Sequence, residues 1–334
     1  MKSGENKELK RPKGMEHLID IFNSLQEFYL ISAGIELKIF DFLEKKEVTA
    51  EDLAKNMNFE VELMKAWCNA ATSCGYLILN HDKFTLSKWS KAFLLSTSPT
   101  YIGYLCKYTK ILPEAYFNLE ARFKGNRPLM EAQHALNSVE SIAPLARLAV
   151  PILMQNIPIL QKKCHILDLG CGLASYLINF ALNNPELTGV GIDGGWIAAI
   201  VYEAKLNVKK HNLQDRIKIV LADVLELELN EKFDIIFMSG FLQAFKPENV
   251  ILILKKVNNW LKPDGALILQ EMLLEKGRLE PQSNALLNLF LHLETSQAGL
   301  FEYEQLEALL IEGKFSKIRR IDVVPQISHV IAQR

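Results

Sequence analysis

What this chain can fold into is constrained most by a short run near its middle, Cys164-His-Ile-Leu-Asp-Leu-Gly-Cys-Gly-Leu-Ala174. His165, Ile166 and Leu167 read as a buried strand. Asp168 stands at the lip of the turn that follows, which is made by Gly170 and Gly172. Leu173, Tyr176, Leu177 and Phe180 then recur at helical spacing. A strand, a glycine turn and a helix make half of a nucleotide-binding unit. From Cys164 onward, strand patterns alternate with helix patterns, which predicts a mainly parallel sheet covered by helices on both faces.

The ligand follows from the acids around that turn. A dinucleotide fingerprint requires a third glycine three residues after the second, and Ser175 stands there. A pyrophosphate beside Asp168 would be repelled. An anionic lip suits instead a ligand that carries an ammonium and a sulfonium, as S-adenosylmethionine (SAM) does. A ribose-binding acid is expected about 20 residues further on, at the end of the next strand. Leu187-Thr-Gly-Val-Gly-Ile-Asp193 supplies it, and Ile217-Lys-Ile-Val-Leu-Ala-Asp223 ends in a third acid, placed to accept from an adenine amino group. One strand-end aspartate is usually only a turn former. Three in order, with the glycine turn first, favour a SAM site along the carboxyl edge of the sheet.

Composition narrows the alternatives. With 334 residues, 49% of them hydrophobic, the chain is long enough for two domains with a large core. A net charge of −1 argues against a broad nucleic-acid footprint. The polar start, Met1-Lys-Ser-Gly-Glu-Asn-Lys-Glu, does not resemble a signal peptide. The apolar run from Ile142 to Leu160 is broken by Arg147 and by Pro144, Pro151 and Pro158, so no membrane span is expected. Cys68, Cys74, Cys106, Cys164 and Cys171 form no pair with metal-ligand spacing, which predicts no metal site and fits a reducing cytoplasm.

The N-terminal part is helical. Leu18, Phe22, Leu25 and Tyr29 share one helical face, continued by Ile35, Ile39 and Leu43 in a second helix. Thr49-Ala-Glu-Asp52 resembles a capping box, and Glu62 to Ser73 form a further helix stopped at Gly75. Tyr76-Leu-Ile-Leu and Lys83-Phe-Thr-Leu flank Asn80-His81-Asp82 as a small hairpin. Together these make a winged-helix unit. Its would-be recognition helix, Val61 to Ala71, has one lysine and no basic cluster to neutralise phosphates, so a partner subunit is expected rather than DNA. Ser90 to Gln161 is helical and rich in aromatics, among them Phe93, Tyr101, Tyr104, Tyr108, Tyr116, Phe117 and Phe123. They could roof an apolar substrate or be plain core. At the end, Ile318 to Val324 and Ile327 to Ala332 are separated only by Pro325-Gln326, so they form a hairpin and the last strand is antiparallel.

The chain resembles the class I SAM-dependent methyltransferases. Asp168-Leu-Gly-Cys-Gly-Leu-Ala174 is similar to their first motif, with Ala174 where a third glycine is usual. Phe233-Asp-Ile-Ile-Phe-Met-Ser-Gly240 and Leu261-Lys-Pro-Asp-Gly-Ala-Leu-Ile-Leu269 are similar to the fourth-strand motif and to the turn and fifth strand. Over nearly its whole length it resembles the small-molecule O-methyltransferases of plants and bacteria. Ala33-Gly-Ile-Glu-Leu-Lys-Ile-Phe-Asp-Phe-Leu43 fits that family's second helix, and Leu119 to Pro128 the segment before its linker helices. The resemblance implies an α/β, Rossmann-like methyltransferase sheet with an antiparallel last strand, preceded by a mostly helical winged-helix dimerisation domain. The expected divisions are a dimerisation domain at 1–95, a helical linker and substrate roof at 96–162, and a SAM-binding catalytic domain at 163–334. A homodimer through the N-terminal helices is expected. The implied SAM contacts are Asp168, Gly170, Gly172, Asp193, Asp223, Val224, Met238 and Phe241.

One departure bears on mechanism. The family's catalytic histidine follows the fourth strand in a Leu-His-Asp-Trp setting, and here Leu242-Gln243-Ala244-Phe245 stands there. Glutamine cannot take a proton near neutral pH. Of the two acids that position the family histidine, Glu271 is retained and the other falls near Leu300. The expected function is SAM-dependent methyl transfer to a small, largely apolar aromatic or conjugated substrate, on oxygen or alternatively on carbon. Gln243, Glu271 and His292 are the expected polar groups, His292 being either a base or a packed helix residue. His134 is a weaker candidate. His165, His211 and His329 are expected to be structural, and His81 solvated. A SAM-binding protein of the same fold that does not methylate is the alternative.

Overall fold

The structure, a computed structural model, describes residues 14–117, 119–126, 132–194, 198–295, 299–324 and 326–334, without the side chains at 114, 132–134 and 323–324. The candidate His134 side chain, Pro325 and the end of the Leu119 to Pro128 motif therefore lie outside the described residues. Contacts divide the chain into two compact units, Met1–Thr109 and Lys110–Arg334.

The first unit contains helices α1 (Met15–Glu36), α2 (Ile39–Phe42), α3 (Ala50–Met57) and α4 (Val61–Ser73). A hairpin follows, β1 (Leu77–Asn80) against β2 (Lys83–Leu86), and then α5 (Lys88–Phe93). Capping explains two of the starts. The Thr49 hydroxyl accepts the Asp52 N–H at 3.1 Å to open α3, and the Glu60 carboxylate accepts the N–H groups of Glu62 and Leu63 to open α4. Ile35 belongs to the end of α1, not to a helix shared with Ile39. The chain breaks at Lys38, which adopts a left-handed φ of 58°. Phe40, Leu53, Met64, Cys68, Phe84 and Leu86 build the core of this unit. The apolar stripe of α1 does not join it. Leu18, Phe22 and Leu25 are 69%, 61% and 51% exposed, so most of that face meets water in the single chain.

Helix α6 (Tyr108–Tyr116) starts at the division between the units, and α7 (Leu119–Phe123), α8 (Ala132–Ile142) and α9 (Leu145–Asn156) follow in the second. Strands and helices then alternate: β3 (His165–Leu169), α10 (Ser175–Asn183), β4 (Thr188–Asp193), α11 (Ala198–Lys210), β5 (Ile217–Leu221), β6 (Phe233–Ser239), α12 (Pro247–Trp260) and β7 (Leu261–Glu271). Helices α13 (Gln282–Glu294) and α14 (Tyr303–Glu312) precede the final hairpin of β8 (Ser316–Val324) and β9 (Ile327–Gln333). The sheet order is β5-β4-β3-β6-β7-β9-β8. Strands β3 to β7 are parallel, and β9 is antiparallel to both β7 and β8.

Both faces of the sheet are covered, which is why its strands are almost continuously apolar. The pleat sorts their residues. Ile235 and Phe237 of β6 pack with α9, α10 and α11, whereas Ile236 and Met238 pack with α12 and α14. The strand order reverses at β3, with β4 on one side and β6 on the other. That is the switch point where an open α/β sheet leaves a crevice at its carboxyl edge.

Candidate active site

At this crevice β3 ends in the glycine turn. Gly170 and Gly172 have φ of 71° and 50°, values that favour glycine. A Cβ on Gly170 would strike the ring of Phe241, so the turn and the segment after β6 meet closely there. Ala174, at φ 58°, occupies a left-handed position just before α10. The turn is tied to β4 by Asp193. Its Oδ2 accepts the Gly172 N–H at 2.8 Å and its Oδ1 the Gly194 N–H at 2.9 Å. Burial raises the Asp193 carboxyl, and these two donors oppose the shift.

Two adjoining lobes open along this edge. The first, about 350 Å³, is lined by Gly170, Asp193, Asp223, Val224, Phe241 and Asn249, with others. The second, about 240 Å³, is lined by Gly170, Gly172, Tyr176, Asp193, Ser239 and Phe241, and by Val139, Ile142 and Ala143 of α8. Asp223 also accepts the Leu225 N–H at 2.8 Å, which fixes its side chain at the end of β5. Six of the residues singled out in the sequence thus meet on one wall: Gly170, Gly172, Asp193, Asp223, Val224 and Phe241.

Two others do not. Asp168 is not at the lip: it is 3% exposed, lines neither lobe, and its carboxyl is pushed up to about 8 by burial and then by the charge of Asp193. The acid of the motif is therefore a buried, protonated group near neutral pH in the free protein. Met238 is fully buried and faces α12, because the pleat turns it away from the crevice. The Cys171 thiol is likewise buried and pushed well above its ordinary value, so it is a filler of the turn and not a nucleophile.

Gln243 lies in the single helical turn Leu242–Ala244 after β6. Its Oε1 is buried without a partner. Glu271, at the end of β7, is 2% exposed, and burial pushes its carboxyl up to about 8. A hydrogen bond from the Leu242 N–H opposes that shift and ties Glu271 to the turn that carries Gln243. Its Oε1 has no partner. His292 is elsewhere. It is exposed near the end of α13 and lines an open cavity of about 500 Å³ with Arg278, Gly299, Leu300 and Gln305, which shares only Phe245 with the two lobes. Asn288 accepts the Leu300 N–H at 2.9 Å. His165 and His211 make local hydrogen bonds, to Thr188 and to the Asn207 carbonyl.

The sequence reading missed Tyr176, Ser239 and Gln270. Tyr176 and Ser239 line the second lobe, and Gln270 hydrogen-bonds to both. In the sequence, Tyr176 stands out only as a helix-face residue. Among the described residues there is no group of three or more His, Cys, Asp or Glu side chains that could hold a metal. Nor is any single helix there long and apolar enough to cross a membrane.

Comparison with known proteins agrees with this geometry. Residues 160–306 match the family model described as a methyltransferase domain. The S-adenosyl-L-methionine-dependent methyl transferase PigF of Serratia sp. is 22% identical over 326 residues, covering 91% of this chain and 92% of PigF. Human N-acetylserotonin methyltransferase in complex with SAM superposes with a TM-score of 0.83 at 16% identity, over 98% of this chain and 99% of that one. PigF with SAH superposes with a TM-score of 0.77 at 18% identity, over 96% and 99%. At these identities the shared property of the solved structures is the fold, down to the antiparallel end of the seven-stranded sheet.

Proposed function

We propose that this SAM-dependent methyltransferase, whose residues 160–306 match a methyltransferase domain and whose fold is that of solved O-methyltransferase structures, methylates a small, largely apolar aromatic or conjugated acceptor by holding it in line, without a protein base. SAM supplies an electrophilic methyl group on a sulfonium, a strong leaving group. The residues on the shared wall suit it. Each Asp193 oxygen is engaged by one N–H and retains acceptor capacity for a ribose hydroxyl. Asp223 and Val224 border the same lobe where an adenine would lie, and the glycine turn lets backbone approach the methionine end. Asp168 and Met238 act from behind this wall, by supporting the strand ends.

The observation that carries the mechanism is that Gln243, whose buried Oε1 has no partner, sits on the turn that a protonated Glu271 holds through the Leu242 N–H. Gln243 can donate or accept a hydrogen bond but cannot remove a proton. Glu271 fixes the turn through the Leu242 N–H. Orientation is then the whole contribution of these residues, and proximity alone can supply a large share of the barrier reduction. An acceptor that is an acidic phenol or enol ionises in solution, and a nucleophilic carbon needs no prior ionisation. His292 would serve recognition in the neighbouring cavity.

The N-terminal unit would dimerise through α1, whose exposed Leu18, Phe22 and Leu25 form a stripe suited to a second copy. Residues 1–95 would thus be the winged-helix dimerisation domain, 96–162 the substrate roof and 163–334 the catalytic domain, working in the cytoplasm. The test is incubation of the enzyme and a metabolite extract with SAM carrying a deuterated methyl group, followed by mass spectrometry. A labelled product is expected. SAM binding without label from an extract that contains such acceptors would favour a non-methylating protein, the second reading, which the absence of a base at Gln243 also supports.

A further inference from the structure

Behind Tyr176 and Ser239, which line the second lobe, lies a buried polar cluster to which the methyl-transfer reading gives no task. Gln270 is 6% exposed on β7. Its Oε1 accepts from the Tyr176 hydroxyl and lies 3.0 Å from His329 Nε2, while its Nε2 lies 2.8 Å from Ser239 Oγ. His329 is fully buried, and its Nδ1 has no partner.

One assignment of the protons satisfies these contacts. Burial pushes the His329 imidazole down to about 4, so the ring is neutral and carries one proton. On Nδ1 that proton would be a buried donor with nothing to donate to, a rarer and costlier state than a bare acceptor. It therefore sits on Nε2 and is donated to Gln270 Oε1, which the Tyr176 hydroxyl also reaches. With its oxygen claimed by two donors, the Gln270 amide has one orientation, and its Nε2 donates to Ser239 Oγ. The hydroxyl proton of Ser239 has no acceptor among the described residues, and Ser239 lines the lobe.

We propose that Tyr176, Gln270 and His329 are positioning residues that hold the Ser239 hydroxyl as a hydrogen-bond donor into the second lobe, where it binds the carboxylate of the amino-acid end of SAM. This rests on reading the two lobes as the SAM site. A carboxylate is acceptor-only, and a hydroxyl whose lone pair is already engaged is matched to it.

The decisive substitution is Gln270→Glu. It keeps the shape and the oxygen facing Tyr176 and His329, but replaces the donor facing Ser239 with an acceptor, so Ser239 must turn its proton inward. Binding is measured by calorimetry with S-adenosylhomocysteine and with 5′-methylthioadenosine, which lacks the amino-acid end. S-adenosylhomocysteine should bind roughly ten- to a hundred-fold more weakly, the range for a hydrogen bond to a charged group, with 5′-methylthioadenosine unchanged. Ser239→Ala should give the same split without burying a new carboxyl, and Ser239→Thr should restore affinity. If Ser239→Ala leaves S-adenosylhomocysteine unaffected, or weakens both ligands alike, the proposal is overturned. If the unsubstituted protein binds neither ligand, the SAM site itself is refuted and the proposal falls with it.

Discussion

Glu271→Gln should make the protein more stable, and by an amount that depends on pH. The wild-type carboxyl is 2% exposed and held at about 8, against an ordinary value of 4.5, with burial the main cause. Below pH 4.5 it is protonated in both states and stability is unaffected. Between 4.5 and about 8 the unfolded chain loses this proton while the folded chain keeps it, so stability falls as pH rises, by about 1.4 kcal/mol per pH unit. The accumulated loss is about 3 kcal/mol by pH 7 and becomes constant above the folded value. Glutamine has nearly the same shape, keeps an acceptor for the Leu242 N–H and does not titrate. The variant should therefore match wild type at pH 4.5 and unfold several degrees higher at pH 8, as read by thermal and urea unfolding. Asp168 adds a wild-type slope of the same sign, being raised from 3.8 to about 8, but it is present in both proteins and cancels in the difference. Equal or lower stability of Glu271→Gln at pH 8 would refute the assignment of a buried, protonated acid. Turnover of the variant at pH 7 should stay within a few-fold of wild type, since a protonated glutamate and a glutamine offer the turn the same support.

Three further outcomes follow from the same geometry. Asp193→Ala removes the group that ties the glycine turn to β4 and is placed for the ribose; SAM affinity by calorimetry should fall by about a hundred-fold or more, and an unchanged affinity would remove Asp193 from the site. Gln243→Ala should lower kcat by about ten-fold, one orienting hydrogen bond, whereas loss of a true base would cost on the order of a hundred- to ten-thousand-fold. Phe22→Glu together with Leu25→Glu should convert a dimer into monomers by light scattering without lowering the melting temperature of the Lys110–Arg334 unit, because both side chains are exposed in the single chain; a dimer that survives would place the interface elsewhere.

The elements that could be read from the sequence are those with a local cause. The capped start at Thr49, the stop at Gly75 and the two short hairpins each follow from a few adjacent residues. The parallel strands are legible because covering both faces makes them almost continuously apolar. That same continuity hides which residue faces which side. In β6, Ile236, Phe237 and Met238 form one apolar run, yet the pleat buries Met238 under α12, packs Phe237 on the opposite face and brings the next residue, Ser239, to the second lobe. The apolar residue types alone do not say which face each one takes. It depends on the register of β6 against β3 and β7, which is a tertiary property.

The acids show the same limit in electrostatic form. Asp168, Asp193 and Asp223 look equivalent as strand-end carboxylates, but the fold gives them three states. Asp168 is sealed and protonated near neutral pH, Asp193 is bound by two backbone donors, and Asp223 stays at the wall of the first lobe. Glu271 was recognisable as a retained acid, but its protonation depends on burial by segments far away in sequence. That protonation reverses what its retention would suggest. On the proposed mechanism, an ionised glutamate next to a histidine would help a base, whereas a protonated Glu271 tied to the Leu242 N–H supports a turn whose Gln243 cannot take a proton. On that proposal, the site selects acceptors that arrive already nucleophilic, and substrate specificity and chemical reactivity are then set by the same property of the acceptor.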